Sequence, residues 1–386
     1  MTIKDKIDQI ETIKNKLKLE LVAQYIEMQN IPFIDYPDII RSIVPAERIF
    51  DGENPLVTYE QDSNSLTTQL RPSAFYRHPT LKTVKLTNAI LIEVRTFERC
   101  PSLESCEAPK VTLVKSAAFT ECISLKCVVL PIAKVVEFNT FLNCKALETV
   151  EIPNMTKIGN SAFKNCEALK EVNFPLLSSL GYDGFRSCAA IESVSFPLLK
   201  SVSEEAFSYC RSLKNVFLPS VTNLNKSSFQ GCSSLETADF PLVTTLGSSC
   251  FSTCSALKSI NLPLIEVVPD FCFSSCSSLE TITLPYVKDL LINTFWDCKA
   301  LVEVYLPKVE QISIGAFRGT SKLKKLVLSG DLVATLGADV FMQSAILNKT
   351  GYIYVPDNLL DQYRITTNWV VFADQIKPIS ELEGEE

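Results

Sequence analysis

Fourteen cysteines and a single histidine are the residues of this 386-residue chain best suited to chemistry. Thiolates bind zinc, form disulfides and act as nucleophiles, so their spacing decides among these uses. Zinc needs four ligands converging from close pairs such as C-x2-C. No C-x2-C occurs; the close pairs are Cys250/Cys254, Cys272/Cys276, Cys122/Cys127 and Cys100/Cys106. Ten cysteines stand instead at a constant interval of 22 residues, from Cys100 through Cys166 and Cys232 to Cys298. On successive turns of a repeat, their Cα–Cβ vectors run parallel about 5 Å apart, whereas a disulfide wants Cβ atoms at ~3.8 Å and a twisted dihedral. The column reads as reduced, buried thiols acting as small hydrophobes. No metal and no cofactor is expected. His78 lies one interval before Cys100 and Thr320 one after Cys298. Both read as polar residues of capping turns, His78 as a cap residue and not a catalyst. G-x-S-x-G, H-E-x-x-H, P-loop and Rossmann fingerprints are missing, so the chain reads as non-catalytic.

Such a column needs elements to position it, and the sequence supplies them by repetition. Phenylalanine keeps the same interval three residues before each cysteine, from Phe75 to Phe317, and proline follows nine residues after, from Pro109 to Pro307. In the unit Leu147 to Ala168, the apolar Leu147, Val150 and Ile152 form the core of a short strand. Pro153 ends it, having no N–H for a ladder. Met155 and Ile158 turn inward on the return path, Ala162 is small at a bend, Phe163 fills the interior, and Cys166 closes the turn. No turn buries this face alone, so stacking must make one continuous core. About twelve such turns, at a strand spacing of ~4.8 Å, give a rod or arc roughly 55–60 Å long with its strands on one face.

The run from Ser161 to Leu177, S-A-F-K-N-C-E-A-L-K-E-V-N-F-P-L-L, resembles the BspA-type leucine-rich repeat, whose units read A-F-x-x-C-x-x-L-x-x-V-x-L-P. The resemblance covers residues 70 to about 347. It implies an α/β-type leucine-rich-repeat solenoid with parallel strands. It also implies a binding role, since members of that family are typically bacterial or protist surface proteins that bind host or matrix proteins.

The residue after each strand's first apolar position alternates in sign, from Lys82, Glu104 and Lys126 to Lys258 and Glu280. Opposite charges one strand apart gain roughly 0.2–1 kcal/mol per pair, which accounts for the row as register and solubility. The outward strand positions say more. Asn173, Ser195, Phe217, Asp239, Asn261, Thr283 and Tyr305 form a row of hydroxyls and amides with two aromatics. Such a row suits a protein or glycan held by hydrogen bonds and stacking; it also reads as a plain solvated sheet of β-formers. These seven are the candidate binding residues.

The ends differ from the repeat. Residues 1–44 read as a helical head. Ile3, Ile7, Ile10, Leu17, Leu21 and Met28 fall on an a/d seam that also holds Lys14 and Gln24. A self-associating coiled coil therefore stands beside a helix folded back on its own chain. Asn30-Ile31-Pro32 stops this helix, and a second short one is expected over 37–43. The head and the following I-P-F-I-D-Y-P-D-I-I resemble short N-terminal modules of phage tail and appendage proteins. Residues 45–69 read as a linker and the start of an N-terminal cap, 70–347 as the solenoid, and 348–386 as a C-terminal cap and acidic tail. In that cap a last edge strand is expected at Tyr352–Val355, a helix from Pro356 to Arg364, and Trp369 and Phe372 as plugs of the open core.

A net charge of −7 argues against a nucleic-acid partner. No apolar run reaches the roughly 18 residues of a membrane span. The opening MTIKDKIDQIETIKNKLKLE breaks its apolar residues with charges, so it reads as lacking a signal peptide. That fits a cytoplasmic or phage-particle protein, one exported by another route, or one whose true start is missing; the family resemblance suggests the cell surface. The expectation is a non-catalytic recognition protein presenting its strand face to a protein or glycan, at a bacterial surface or on a phage. The alternative is a homo-oligomeric structural spacer assembled through the N-terminal helix.

Overall fold

The computed structural model of the chain describes residues 50–51, 54–55, 58–60 and 70–382. The helical head over 1–44, with its seam from Ile3 to Met28 and its phage-tail resemblance, lies outside the described residues, as does most of 45–69.

Each 22-residue unit makes one coil with three sides. Strand Thr149–Glu151 turns Val150 inward between two exposed neighbours, as the two-residue side-chain period of a strand demands. After Pro153 the chain reverses into a second, two-residue strand, Lys157–Ile158, that buries Ile158. This back strand is too short to show a periodicity in sequence. The third side is built on two left-handed residues, Ser161 at φ 53° and Asn165 at φ 60°. They wrap the backbone around Ala162, Phe163 and Cys166, all fully buried.

Stacking then satisfies the backbone. Front strands pair parallel and in register, Thr149 with Cys127 and Val150 with Val128. Back strands do the same, Ile158 lying between Val136 and Leu180. On the third side the Phe141 N–H donates to the Ala162 carbonyl at 2.7 Å and the Phe163 N–H to that of Gly184 at 2.9 Å. The phenylalanine rings form one stack from Phe75 to Phe341, with centroids 5.1 to 5.8 Å apart.

Among the described residues the front column holds fifteen strands, from Thr58–Glu60 to Ile376–Pro378, and so about fourteen turns, two more than the phenylalanine spacing shows. The thirteenth turn carries two extra residues, yet Phe341 stacks on Phe317 at 5.8 Å. In the fourteenth Trp369 replaces the phenylalanine. It is fully buried, sits 6.4 Å from Phe341, and donates its Nε1–H to the Ala334 carbonyl at 2.6 Å. Phe372 meets Phe341 edge-on at 5.1 Å.

One expectation for the cap is corrected and another is borne out with a refinement. Strand Tyr352–Val355 is not the last: Ile376–Pro378 pairs with it, Ile353 opposite Ile376 and Val355 opposite Pro378. Proline, lacking an N–H, suits such an edge. The expected helix from Pro356 to Arg364 is a 3-10 turn, Asp357–Leu359, leading into the α-helix Leu360–Ile365, the only α-helix among the described residues. The solenoid is thus one of parallel strands with little helix.

The front column is not evenly bonded. Its ladder is interrupted after Glu151, after Phe217 and after Asn261, although the strands remain neighbours. The third side runs through these places without a gap.

Candidate binding surface

The cysteine column lies inside the coil. Thirteen of the fourteen thiols are buried; Cys127, on the outward face of its strand, is half-buried. All ten column thiols donate to the carbonyl of a phenylalanine 25 residues earlier, at 2.9 to 3.2 Å. Burial pushes the Cys122, Cys144, Cys166, Cys210 and Cys232 thiols well above their ordinary range, and Cys250 to about 12 despite the Ser228 hydroxyl 3.1 Å away. Among the described residues no group of three or more His, Cys, Asp or Glu could hold a metal ion. His78 is buried in the first full turn, and its Nδ1 accepts the Leu81 N–H at 3.1 Å. Thr320 donates to the Phe317 carbonyl at 2.7 Å. At both ends of the column the polar side chain makes a hydrogen bond within its own turn.

The strand face presents all seven candidate residues, each exposed. Five of them, Ser195, Phe217, Asp239, Asn261 and Thr283, line a trough of ≈ 710 Å³ that crosses five front strands from Ser193 to Thr283. Asn173 and Tyr305 are not brought into it; they continue the row beyond its two ends. Alternation of side chains fixes the walls: Ser193, Asn215, Thr237, Ser259 and Thr281 stand two residues before the candidate row on the same strands. Asn261 donates its Nδ2–H to the Asp239 carboxylate at 2.8 Å, which orients both groups. Phe217 rises among them 59% exposed. Outside the trough, partial burial and then the hydrogen bond to Glu303 raise the Tyr305 phenol above its usual range.

The floor holds residues that sequence reasoning missed. Val216 and Ile260 are inward by strand alternation, yet both are half-buried and line the trough, while Val194 and Ile282 stay buried. The ladder interruptions after Phe217 and after Asn261 run beside these two side chains. Residue type gives no signal of this, since Val and Ile fill the same place in buried turns. Lys214 is a further lining residue. It pairs with Glu192 at 3.1 Å, as Lys258 does with Glu236 at 2.7 Å. The hydrogen bond from Lys258 holds the Glu236 carboxyl below its usual range. Exposed pairs of this kind add little stability singly. The trough thus offers hydroxyl donors and acceptors, a bound amide–carboxylate pair, one large ring and two aliphatic patches, the chemistry of contact.

A stack of parallel-strand turns with an inward row of leucine, valine and isoleucine is a leucine-rich-repeat solenoid. The chain belongs to the BspA type leucine rich repeat region family, whose six-copy model matches residues 24–136, 68–192, 134–258 and 222–348. Comparison with curated proteins finds no match. Among solved structures, a leucine-rich repeat protein from Bacteroides ovatus is 24% identical with a TM-score of 0.49, covering 85% of this chain and 99% of that one. A leucine rich cell surface protein from Faecalibacterium prausnitzii is 21% identical with a TM-score of 0.41, covering 78% and 82%. A leucine-rich repeat protein from Eubacterium ventriosum is 18% identical with a TM-score of 0.43, covering 73% and 89%. No helix of the described residues is long and apolar enough to cross a membrane.

Proposed function

We propose that the strand face between Ser193 and Thr283 is a recognition surface for a protein or glycan, and that the chain serves as a binding module at a bacterial surface or on a phage particle. The observation that carries this reading is the trough itself, where five of the seven outward candidate residues meet around Phe217. Solenoids of repeats use such extended faces for contact, and an exposed ring among hydroxyls and amides is a common anchor. The family resemblance is what favours a surface setting.

An array of glycans and extracellular proteins, probed with the full chain, tests the reading. A ligand of this face loses about tenfold or more in affinity with Phe217→Ala, an anchor's usual cost, and also weakens with Asp239→Ala. Ligands that bind both variants as tightly as the parent reject the trough as the contact surface.

A further inference from the structure

Exposed apolar side chains form a second ordered row, outside the trough. One residue after the repeat proline, where the front strand turns toward the back strand, stand Leu176, Leu198, Leu242, Leu264 and Tyr286, between 42% and 49% exposed. Ser220 takes the same place in the middle turn. Scattered exposed leucines are ordinary; a column repeated turn after turn is a contiguous patch, which marks an interaction site. The row continues through Asn154 to Ile132 on one side. On the other it passes Lys308 to Leu332, because the two-residue insertion sets Gln311 opposite Thr335.

Read inward from either end, this row has the same order: apolar, polar, apolar, apolar. Its centre falls between Ser220 and Leu242. We propose that this row is the contact surface for a second copy of the chain, docked antiparallel about a two-fold axis at that centre.

Three observations select this occupant. First, the row repeats at the strand spacing of ~4.8 Å. A helix laid along it would repeat at about 5.4 Å and an extended chain at ~6.6 Å, so both would drift out of step, whereas another solenoid keeps step throughout. Second, a two-fold interface must be self-complementary. Reversal about the centre sets Leu198 against Leu264 of the other copy, Leu176 against Tyr286, and the polar Asn154 against Lys308, whose ammonium already caps the Tyr286 ring at 4.4 Å. Third, in the adjoining row, two residues further along each turn, the reversal brings one pair of opposite charges together and sets no like charges opposite each other. The same reversal places Lys200 opposite Glu266 and Thr222 opposite Thr244. Ten rungs extend ~45 Å at the strand spacing. The row of repeat prolines and these two rows, together roughly 15 Å wide, then offer about 700 Å² per copy, close to the roughly 800 Å² per partner of a stable interface.

This assignment does not rest on the ligand reading. Light scattering on the eluting full chain tests it: a dimer is expected, and Leu198→Glu, at an exposed position, weakens dimerisation at least tenfold. Co-expressed Leu198→Cys and Leu264→Cys chains, treated with a short bismaleimide, report the register. Cross-linked dimer is expected from the mixture and not from either variant alone or the parent. A monomeric parent, a dimer indifferent to Leu198→Glu, or cross-linking of Leu198→Cys to itself overturns the proposal. Loss of the dimer through removal of residues 1–44 alone, with Leu198→Glu silent, overturns it in favour of the head.

Discussion

The Cys166 thiol donates to the Phe141 carbonyl 3.2 Å away, one full turn earlier in the solenoid. The same oxygen accepts the Cys144 N–H at 3.1 Å, so the thiol uses the second lone pair of a carbonyl already engaged. Cysteine suits the place because it is small, apolar and still a weak donor. Cys166→Ala removes both the packing and the bond. It is expected to cost about 1–2 kcal/mol in a urea or guanidinium unfolding experiment, the scale of a small core deletion plus one net hydrogen bond. A change within experimental error would show that the thiol contributes neither.

The same placement governs reactivity. Thiol reagents need an accessible thiolate, and thirteen thiols are buried. The native protein is expected to label slowly, Cys127 first, with all fourteen thiols released on unfolding. Fast labelling of most of them in the folded protein would contradict a closed column.

Burial also makes the fold sensitive to alkali. A thiol with an ordinary value of 9.0 is pushed to about 12 at Cys250, and Cys122, Cys210 and Cys232 of the column move the same way. Above pH 9 the unfolded chain sheds protons that the folded chain keeps. Stability is therefore complete below pH 9 and falls as pH rises toward about 12, by up to about 1.4 kcal/mol per pH unit for each thiol. Denaturant midpoints at pH 8, 9 and 10 check this: the drop begins above 9, and Cys250→Ala makes it shallower. A midpoint that does not move between 8 and 10 would sink the argument.

Much of this arrangement is legible in the sequence, and what is legible has a physical reason. Phe163, Cys166 and Pro153 are interior or strand-ending residues whose neighbours on the stack occupy the same environment, so each environment repeats its residue type every 22 positions. The outward row from Asn173 to Tyr305 follows from strand alternation, and the structure exposes all seven. Gathering is another matter. Ser195 to Thr283 share a trough while Asn173 and Tyr305 do not, and the half-open Val216 and Ile260 carry no distinguishing type. Those features arise from how neighbouring turns sit on one another, a property of pairs of turns that one unit's sequence does not encode. The terminal turns are legible only in part: strand Tyr352–Val355 and the plugs Trp369 and Phe372 are expected, strand Ile376–Pro378 is not. Trp369 replaces phenylalanine, and Ile376–Pro378 follows an irregular segment, so neither keeps the register that reveals the others.

The left-handed corners were equally silent, because side chains of many types occupy them. Thr253 sits there at φ 59°, in the place that Asn143 and Asn165 hold at 61° and 60° and Gly231 at 74°. A β-branched residue is strained in this conformation, whereas asparagine tolerates it. Thr253→Asn keeps a polar, exposed side chain and is expected to raise stability by about 0.5–1 kcal/mol, read as a higher midpoint in urea with an unchanged slope. A lower midpoint would mean that the Thr253 hydroxyl, which donates to the Ser252 carbonyl at 2.7 Å, matters more than the backbone strain.

Phe185 tests how far one turn depends on the next. Its ring is fully buried and lies 5.3 Å from Phe163, 5.6 Å from Phe207 and 6.1 Å from Phe196. Phe185→Ala is expected to cost roughly 3–5 kcal/mol, since a rigid stack collapses poorly onto the cavity. In a one-dimensional array the loss falls on the mutated turn and on its two interfaces. Amide exchange should therefore quicken around Phe163 and Phe207 while the turn of Phe317 stays protected. Phe75→Ala, beside the end of the stack, should cost less, because Phe75 has a phenylalanine on one side only and Tyr59 on the other at 4.8 Å. Exchange that quickens evenly from Phe97 to Phe317 in the Phe185 variant would show instead that the whole solenoid opens as one cooperative unit, and the nearest-neighbour account would have to be given up.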